Sequence, residues 1–467
     1  MLPTSNNKEV FGQLEGQKAE VVSLLQSLDE LEANGGLLLD DIARREAARQ
    51  DFVRISRMEE VSFRQKSRCL WLKDGDRSTM FFYQMANAHR WVNQINKLRV
   101  DGRDLGMDKE IKEGIVGFYQ YLFWPQAEEW RPRMVGVQFD MISVADREAL
   151  ERLVIEDEVL GALRMMGGDK APDPDGFTMA FFKHYWCVVR TDVMATLEAF
   201  FMSGHFKRSL NATFLALISK KGGAEDIRDF RPISLLGSVY KFLAKVLANR
   251  LRQFCKQWCQ SLICKLDIDK AYDNVRWEFL LYVLERMGFG ETWCRWIRFC
   301  ISTVWMSVLV NGTPAGFFPI FRGLRQGDPL SPLLFILVME ALSRLLDKMV
   351  HEGLLEGFMV GPIMGTPISV SHLLYVDDAL IFCGAVMEQV GYLRCVLLCF
   401  EAVSGLQMNL RKSEMIPVET VDRLSVLTAV LGCKESALPA TYLGLPLGAT
   451  FKAKGYGMEC WSGFNAG

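Results

Sequence analysis

Two adjacent carboxylates, Asp377 and Asp378, stand between the apolar runs Leu373-Leu374-Tyr375-Val376 and Ala379-Leu380-Ile381-Phe382. Short apolar runs flanking a polar pair read as strand, tight turn, strand. That puts both acids at the tip of a hairpin that rises from a buried sheet. Neighbouring carboxylates disfavour each other's ionised form, and a divalent cation relieves the conflict. Oxygen donors of this kind suit Mg²⁺. Asp-Asp is equally ordinary turn chemistry, so the pair alone does not decide. A third acid comes from Leu266-Asp267-Ile268-Asp269, where apolar and acidic residues alternate as in a half-buried strand. Asp267 could face the hairpin tip from a neighbouring strand, although only the fold can join positions so distant in the chain. Asp269 and Asp273 have the competing reading of surface charges, and Tyr272 that of a packing aromatic.

Cations and a loop with ligand-binding character lie between these acids or just before them. Lys207 to Lys256 carries eleven Lys or Arg against three acids, in a chain of net charge −2. A one-signed patch attracts phosphates and gives salt-dependent nucleic-acid binding; the alternative is a solvated helix face. Within it, Lys220 ends the run Leu217-Ile218-Ser219, and Arg231 precedes Pro232, which holds it extended or in a turn. A guanidinium fixed that way can fork onto a triphosphate. Further on comes Arg322-Gly323-Leu324-Arg325-Gln326-Gly327-Asp328-Pro329-Leu330-Ser331-Pro332. Its two glycines keep the backbone open for a ligand. Pro329 and Ser331 start a helix that is apolar from Leu333 to Leu346. Gln326, at the junction, can hydrogen-bond a base or a sugar.

The elements that must position these groups are legible in outline. Phe11 to Ser62 reads as two amphipathic helices broken at Asn34-Gly35-Gly36, a helical arm or spacer. Asp101-Gly102 is a turn. The dense loop Gly167 to Gly176 leads into an aromatic helix, Phe177 to Trp186. Trp277 to Gly288 reads as a helix packed on the sheet, and Val390 to Val403 as another. Asn311-Gly312 is a hairpin turn. With 467 residues, 50% hydrophobic and 24% charged, the chain has material for a core and two or three domains. Its twelve cysteines include no Cys-x-x-Cys pair, and no histidine lies near Cys255, Cys259 and Cys264. They read as reduced, mostly buried thiols of an intracellular protein rather than a zinc site. The first residues carry no signal peptide, and the apolar run Leu333 to Met339 is too short to span a bilayer. The expected compartment is nucleus or cytoplasm.

Several of these stretches together resemble one family. Trp71-Leu72-Lys73-Asp74-Gly75-Asp76, Lys170-Ala171-Pro172-Asp173-Pro174-Asp175-Gly176-Phe177, Asp229-Phe230-Arg231-Pro232-Ile233, Lys265-Leu266-Asp267 to Asp273, Arg325-Gln326-Gly327-Asp328-Pro329-Leu330-Ser331-Pro332, Tyr375-Val376-Asp377-Asp378, Ser404 to Glu414 and Tyr442-Leu443-Gly444-Leu445-Pro446-Leu447-Gly448 are similar to the motifs of reverse transcriptases of plant LINE-type, non-LTR retrotransposons. The Arg325 to Phe335 string carries most of the specificity. The resemblance implies an α+β fold with right-hand-like fingers and palm. It implies an RNA-directed DNA polymerase working by two-metal nucleotidyl transfer on an RNA template, a DNA primer and deoxynucleoside triphosphates. Asp267, Asp377 and Asp378 would hold two Mg²⁺, with Mn²⁺ as an alternative. Arg231, Lys220, Tyr272 and Gln326 would bind the nucleotide, Tyr272 by crowding a ribose 2′-hydroxyl. Lys412 would sit near the leaving pyrophosphate, with a plain surface lysine as the competing reading. Leu443 and Gly444 would grip the primer end. The implied division is a helical arm at 1–64, a pre-polymerase linker at 65–150, fingers at 151–260, palm at 261–450 and an atypical tail at 451–467. Asp173 stands where the family has glycine, so a looser approach of that loop is expected. Only Arg252 to Cys264 lie between the Ala248-Asn249-Arg250-Leu251 segment and the Lys265-Leu266-Asp267 strand, where the family has a longer stretch of fingers. No thumb pattern follows Gly448. The expectation is therefore a truncated or decayed copy of doubtful activity. Its alternatives are a non-catalytic nucleic-acid-binding remnant and a helical interaction protein acting through residues 11–62.

Overall fold

The computed structural model describes residues 14–35, 39–67, 94–124, 134–168, 173–255, 266–360, 368–375, 378–418, 421, 423–442 and 445–447. The Trp71 to Asp76 stretch, Lys170 to Pro172, Val376, Asp377, Leu443, Gly444 and the tail lie outside these residues. The fold is α+β, with two four-stranded sheets and helices packed around them.

The first sheet has the order β2-β1-β4-β5, from β1 (Ala212–Ser219), β2 (Phe230–Leu236), β4 (Trp305–Val310) and β5 (Thr313–Pro319). β1 and β2 are antiparallel, with Ile218 opposite Arg231. β1 and β4 are parallel, and β4 and β5 form a hairpin. Its turn is the expected Asn-Gly, with φ of 51° at Asn311 and 80° at Gly312; two successive positive φ values match the right-handed twist of the flanking strands. The Asn311 amide also brackets Ile95, accepting from its N–H at 2.8 Å and donating to its carbonyl at 3.0 Å. This sheet joins strands from both sides of position 260.

The second sheet is antiparallel throughout. Its order is β6-β7-β3-β8, from β3 (Leu266–Asp269), β6 (His372–Tyr375), β7 (Asp378–Ile381) and β8 (Gln407–Met408). The expected strand-turn-strand is present, but the two acids do not both form its tip: positions 376 and 377 connect the strands, and Asp378 is the first residue of β7, paired with Tyr375. Behind the sheet lie α6 (Trp277–Arg286), α8 (Ser331–His351) and α9 (Met387–Ser404), which pack on one another; α8 also reaches β6. Their apolar faces bury Leu280, Leu284, Phe335, Leu342 and Phe400 completely. α9 ends on Gly405 at φ 81°, where a Cβ would lie 2.6 Å from the Asn274 carbonyl oxygen. Only glycine allows that close approach, which starts β8 alongside β3.

The arm is the expected helix pair, α1 (Leu14–Gly35) and α2 (Leu39–Ser67), which pack on each other and bury Leu28, Ala48 and Ile55. Arg45 bridges to Asp29 and Glu32, each at 2.7 Å. Three expectations need correction. The aromatic helix divides at Tyr185, into Met179–His184 and α4 (Trp186–Ser203), because Tyr185 leaves helical geometry at ψ 22°. Of the seven cysteines whose side chains are described, all free thiols, only Cys294 and Cys300 are buried, while Cys187, Cys395 and Cys399 are exposed. Asp173 does not loosen its loop: it avoids positive φ and ties the loop to α5 (Ser238–Cys255) through Lys241 and the Ser238 hydroxyl. Asp175 completes that junction by accepting from the Ser238 N–H at 2.7 Å, one of the unpaired donors of the first helical turn.

The basic run from 207 to 256 is not one surface. Arg250 is 4% exposed, pairs with Glu158 at 2.8 Å and donates to the carbonyls of Leu150, Arg152 and Leu153. It pins α5 to the segment before Glu156. Arg250→Ala leaves those acceptors and Glu158 without their partner. We expect urea denaturation to show a loss of about 3–5 kcal/mol; a loss below about 1 kcal/mol is the value of an exposed pair and would remove this structural role.

Candidate active site

Site geometry begins at β3. Asp267 and Asp378 are register partners across the antiparallel β3–β7 pair. Partners in such a pair have Cα atoms about 4.5–5.5 Å apart and share a face of the sheet. Positions 267 and 378 therefore oppose each other on one face, although they lie far apart in sequence. Asp377 directly precedes β7 and lies outside the described residues. Among the described residues no cluster of three His, Cys, Asp or Glu could hold a metal ion; the carboxyl groups of Asp267, Asp377 and Asp378 are not among those groups. Three carboxylates converging on one sheet face would form an all-oxygen donor set, which fits a hard divalent cation such as Mg²⁺.

Directly after β3, Lys270 takes a left-handed conformation at φ 46° and opens a one-turn helix, Ala271–Asn274. Its ammonium lies 5.0 Å from the Phe118 ring centre. The turn packs against the Arg322 to Asp328 loop by backbone hydrogen bonds: Leu324 N–H donates to the Tyr272 carbonyl at 2.6 Å, and Gly323 N–H to the Val275 carbonyl at 2.8 Å. Gly323 has φ 87°, and a Cβ there would lie 2.8 Å from the Asp273 carbonyl oxygen. The glycine is what lets the two segments touch.

Along this seam several of the expected nucleotide residues meet. Lys220 directly follows β1 and donates to the Arg228 carbonyl at 2.7 Å. Partial burial, then the charges of Arg231, Lys270 and Lys412, push its ammonium below the ordinary lysine value, and Asp273 opposes them. Arg231 and Lys412 are exposed. Four cations from β1, β2, the 270 turn and the loop after β8 thus share one electrostatic field. Gln326 is half-buried beside them and donates to Asp273 at 3.2 Å. Its backbone carbonyl accepts from the Ser234 N–H at 2.8 Å. Tyr272 is half-buried and stacks on Phe335, with ring centres 5.1 Å apart. Packing and a position at the site coexist there.

Two features were not read from the sequence. Arg325 and Asp328, 4% and 3% exposed, form an ion pair at 2.8 Å inside the protein. Arg325 also reaches Asn211 at 2.6 Å and Thr213 at 3.2 Å, and lies 4.1 Å from the Tyr240 ring centre. Tyr240 O–H donates to Asp328 at 2.9 Å, and Asp328 accepts from the Leu330 N–H at 2.9 Å, at the start of α8. These charges hold the loop from within. An oppositely charged pair three residues apart, with Gly327 between its members and an apolar helix following, was the available signal. Asp273, for which a surface charge was the competing reading, is buried. Burial pushes its carboxyl up to about 6, against the pull of the Gln326 hydrogen bond and of Lys270, Lys220 and Arg322.

This has a stability consequence. The folded-state value lies above the ordinary aspartate value, so the folded protein binds more protons than the unfolded chain between about pH 4 and pH 6. Stability from this group is present below pH 4 and is lost as pH rises to about 6, by roughly 3 kcal/mol. Asp273→Asn should remove that slope. Urea denaturation of both proteins at pH 4 and pH 7 should show the variant gaining relative stability with rising pH; parallel curves would contradict the assignment.

Comparison with known proteins meets this geometry. Residues 218–447 match the family model for reverse transcriptase (RNA-dependent DNA polymerase). The chain is 28% identical to the uncharacterized 149 kDa protein of transposon TX1 from Xenopus laevis, over 87% of this chain and 33% of that protein. It is 25% identical to the Pol polyprotein of the retrotransposable element R2DM from Drosophila melanogaster, over 56% of this chain and 26% of that protein. A shorter stretch, 15% of this chain, is 46% identical to 55% of an uncharacterized mitochondrial protein of Arabidopsis thaliana. The chain thus spans about a third of the length of the TX1 protein. Taken with the two sheets and the seam between them, these matches identify residues 218–447 as a reverse transcriptase domain of the non-LTR retrotransposon kind.

Proposed function

We propose that this chain carries the catalytic core of an RNA-directed DNA polymerase, acting on an RNA template, a DNA primer and deoxynucleoside triphosphates. The single observation that carries the reading is the register of Asp267 opposite Asp378. In this reading Asp267, Asp377 and Asp378 hold two Mg²⁺, or Mn²⁺. When bound, the ions supply the positive charge that lowers the pKa of a primer 3′-hydroxyl and steadies the triphosphate. The chain's own residues position the reactants, which is most of the catalytic work in phosphoryl transfer. Lys220, Arg231 and Lys412 receive the triphosphate, since four like charges gathered with Lys270 are relieved by a polyanion. Lys412 stands nearest in role to the departing pyrophosphate. Gln326 contacts base or sugar, and Tyr272 crowds the 2′-position. Leu443 and Gly444 connect the paired strands Ala440–Tyr442 and Leu445–Leu447 and are assigned to the primer end.

We assign the arm to 1–64, the linker to 65–150, the fingers to 151–260 and the palm to 261–450, with β4 and β5 of the palm segment joining the fingers sheet. The Arabidopsis match supports a plant element as the source. The short spacing between α5 and β3 favours a second reading, a domain that binds template but synthesises poorly.

Primer extension on an RNA template with Mg²⁺ separates the two. Synthesis should be lost by roughly 10³-fold or more in Asp267→Asn and in Asp378→Asn, the several kcal/mol that metal-borne charge stabilisation provides. Template binding with no synthesis sensitive to these substitutions would leave the binding remnant as the function.

A further inference from the structure

We infer that Asp273 is a positioning residue: it holds the side-chain amide of Gln326 and so fixes the face that Gln326 offers to an incoming deoxynucleoside triphosphate. The inference rests on the nucleotide reading of this site and deepens it. Asp273 is 5% exposed, and its carboxylate accepts from Gln326 Nε2 at 3.2 Å. Both backbones are already fixed. Asp273 N–H donates to the Lys270 carbonyl at 2.9 Å, and its own carbonyl lies against Gly323. Gln326 is held by Ser234 through its carbonyl, and Gly327 beside it has φ 100°. The freedom left to Gln326 is in its side chain, and Asp273 takes that away. A glutamine that has donated one N–H keeps a second N–H and a carbonyl oxygen for a ligand. Holding a rotamer-rich side chain in place before binding removes part of the entropic cost of binding. A carboxylate is otherwise an expensive group to bury, and here Lys220, Lys270 and Arg322 offset its charge.

The test is equilibrium binding of dTTP by the full chain on a pre-annealed RNA–DNA primer–template, with Ca²⁺ in place of Mg²⁺ so that binding is read without turnover. Asp273→Ala should weaken binding about tenfold, as should Gln326→Ala, and the double variant should lose no more than either alone. Asp273→Asn, which still offers an acceptor oxygen, should retain affinity. Additive losses in the double variant, or unchanged affinity in Asp273→Ala, would overturn the inference. Gln326→Glu keeps the question open to test if Asp273→Ala does not fold. It sets a second carboxyl against Asp273, so its affinity relative to the unsubstituted chain should recover from about pH 8 to about pH 6, as the pair takes up a proton. Among the described residues, the other charged or titratable groups facing Asp273 are Lys220, Lys270, Arg322 and Tyr119. No recovery would count against the contact. If the unsubstituted chain binds no dTTP, the nucleotide reading itself falls, and this inference with it.

Discussion

The antiparallel register of β3 against β7 is the constraint on which the rest depends. A strand has a side-chain period of two, so a slip by one residue would carry Asp267 to the other face. The register is held from several directions. β3 is a central strand, paired on one side to β7 and on the other to β8. Ile268 is buried beneath it, and Gly405 brings α9 against the Asn274 carbonyl so that β8 can pair. The helices α6, α8 and α9 then cover the face away from solvent. A long apolar α8 following the Asp328 junction is thus a support for the acids as much as a piece of core.

A second economy lies in the placement of charge. The basic run looked like one phosphate-binding surface, but its members divide by burial. Arg250 and Lys241 are spent on internal acceptors, Glu158 and Asp173 respectively. Lys221 pairs with Asp229 at 3.0 Å. Lys220 and Arg231, at the open ends of β1 and β2, converge with Lys270 and Lys412 from distant segments. Local charge density in the sequence therefore overstated the patch, and the fold reassembled a smaller one from four places. The Arg325–Asp328 pair follows the same logic. It lies within the motif richest in ligand-binding character, yet its charges serve the interior and leave Gln326 at the rim.

What could be read beforehand follows from range. The Asn311-Gly312 turn, the helix pair of the arm and the start of α8 are set by a few neighbouring residues and stand where the sequence put them, while the hairpin before Asp378 forms with its turn one residue earlier than the acid pair suggested. The alternation around Asp267 gave a strand but could not name its partners. For Asp273 the surface reading stayed open because nothing in Ala271-Tyr272-Asp273 tells that a loop fifty residues on will close over it. The exposure of Cys395 and Cys399 was missed for a related reason: α9 is apolar on more of its circumference than it buries. The division of the aromatic helix at Tyr185 has no proline or glycine to announce it.

In the proposed function, one cation-binding centre spans β3 and β7. Mn²⁺ binding, followed by electron paramagnetic resonance, tests it most directly. Asp267→Asn and Asp378→Asn should each weaken Mn²⁺ binding, and the double variant should lose far less than the sum, because each single change already opens the shared centre. Losses that simply add, or Mn²⁺ binding indifferent to Asp267, would show that the two acids do not serve one site.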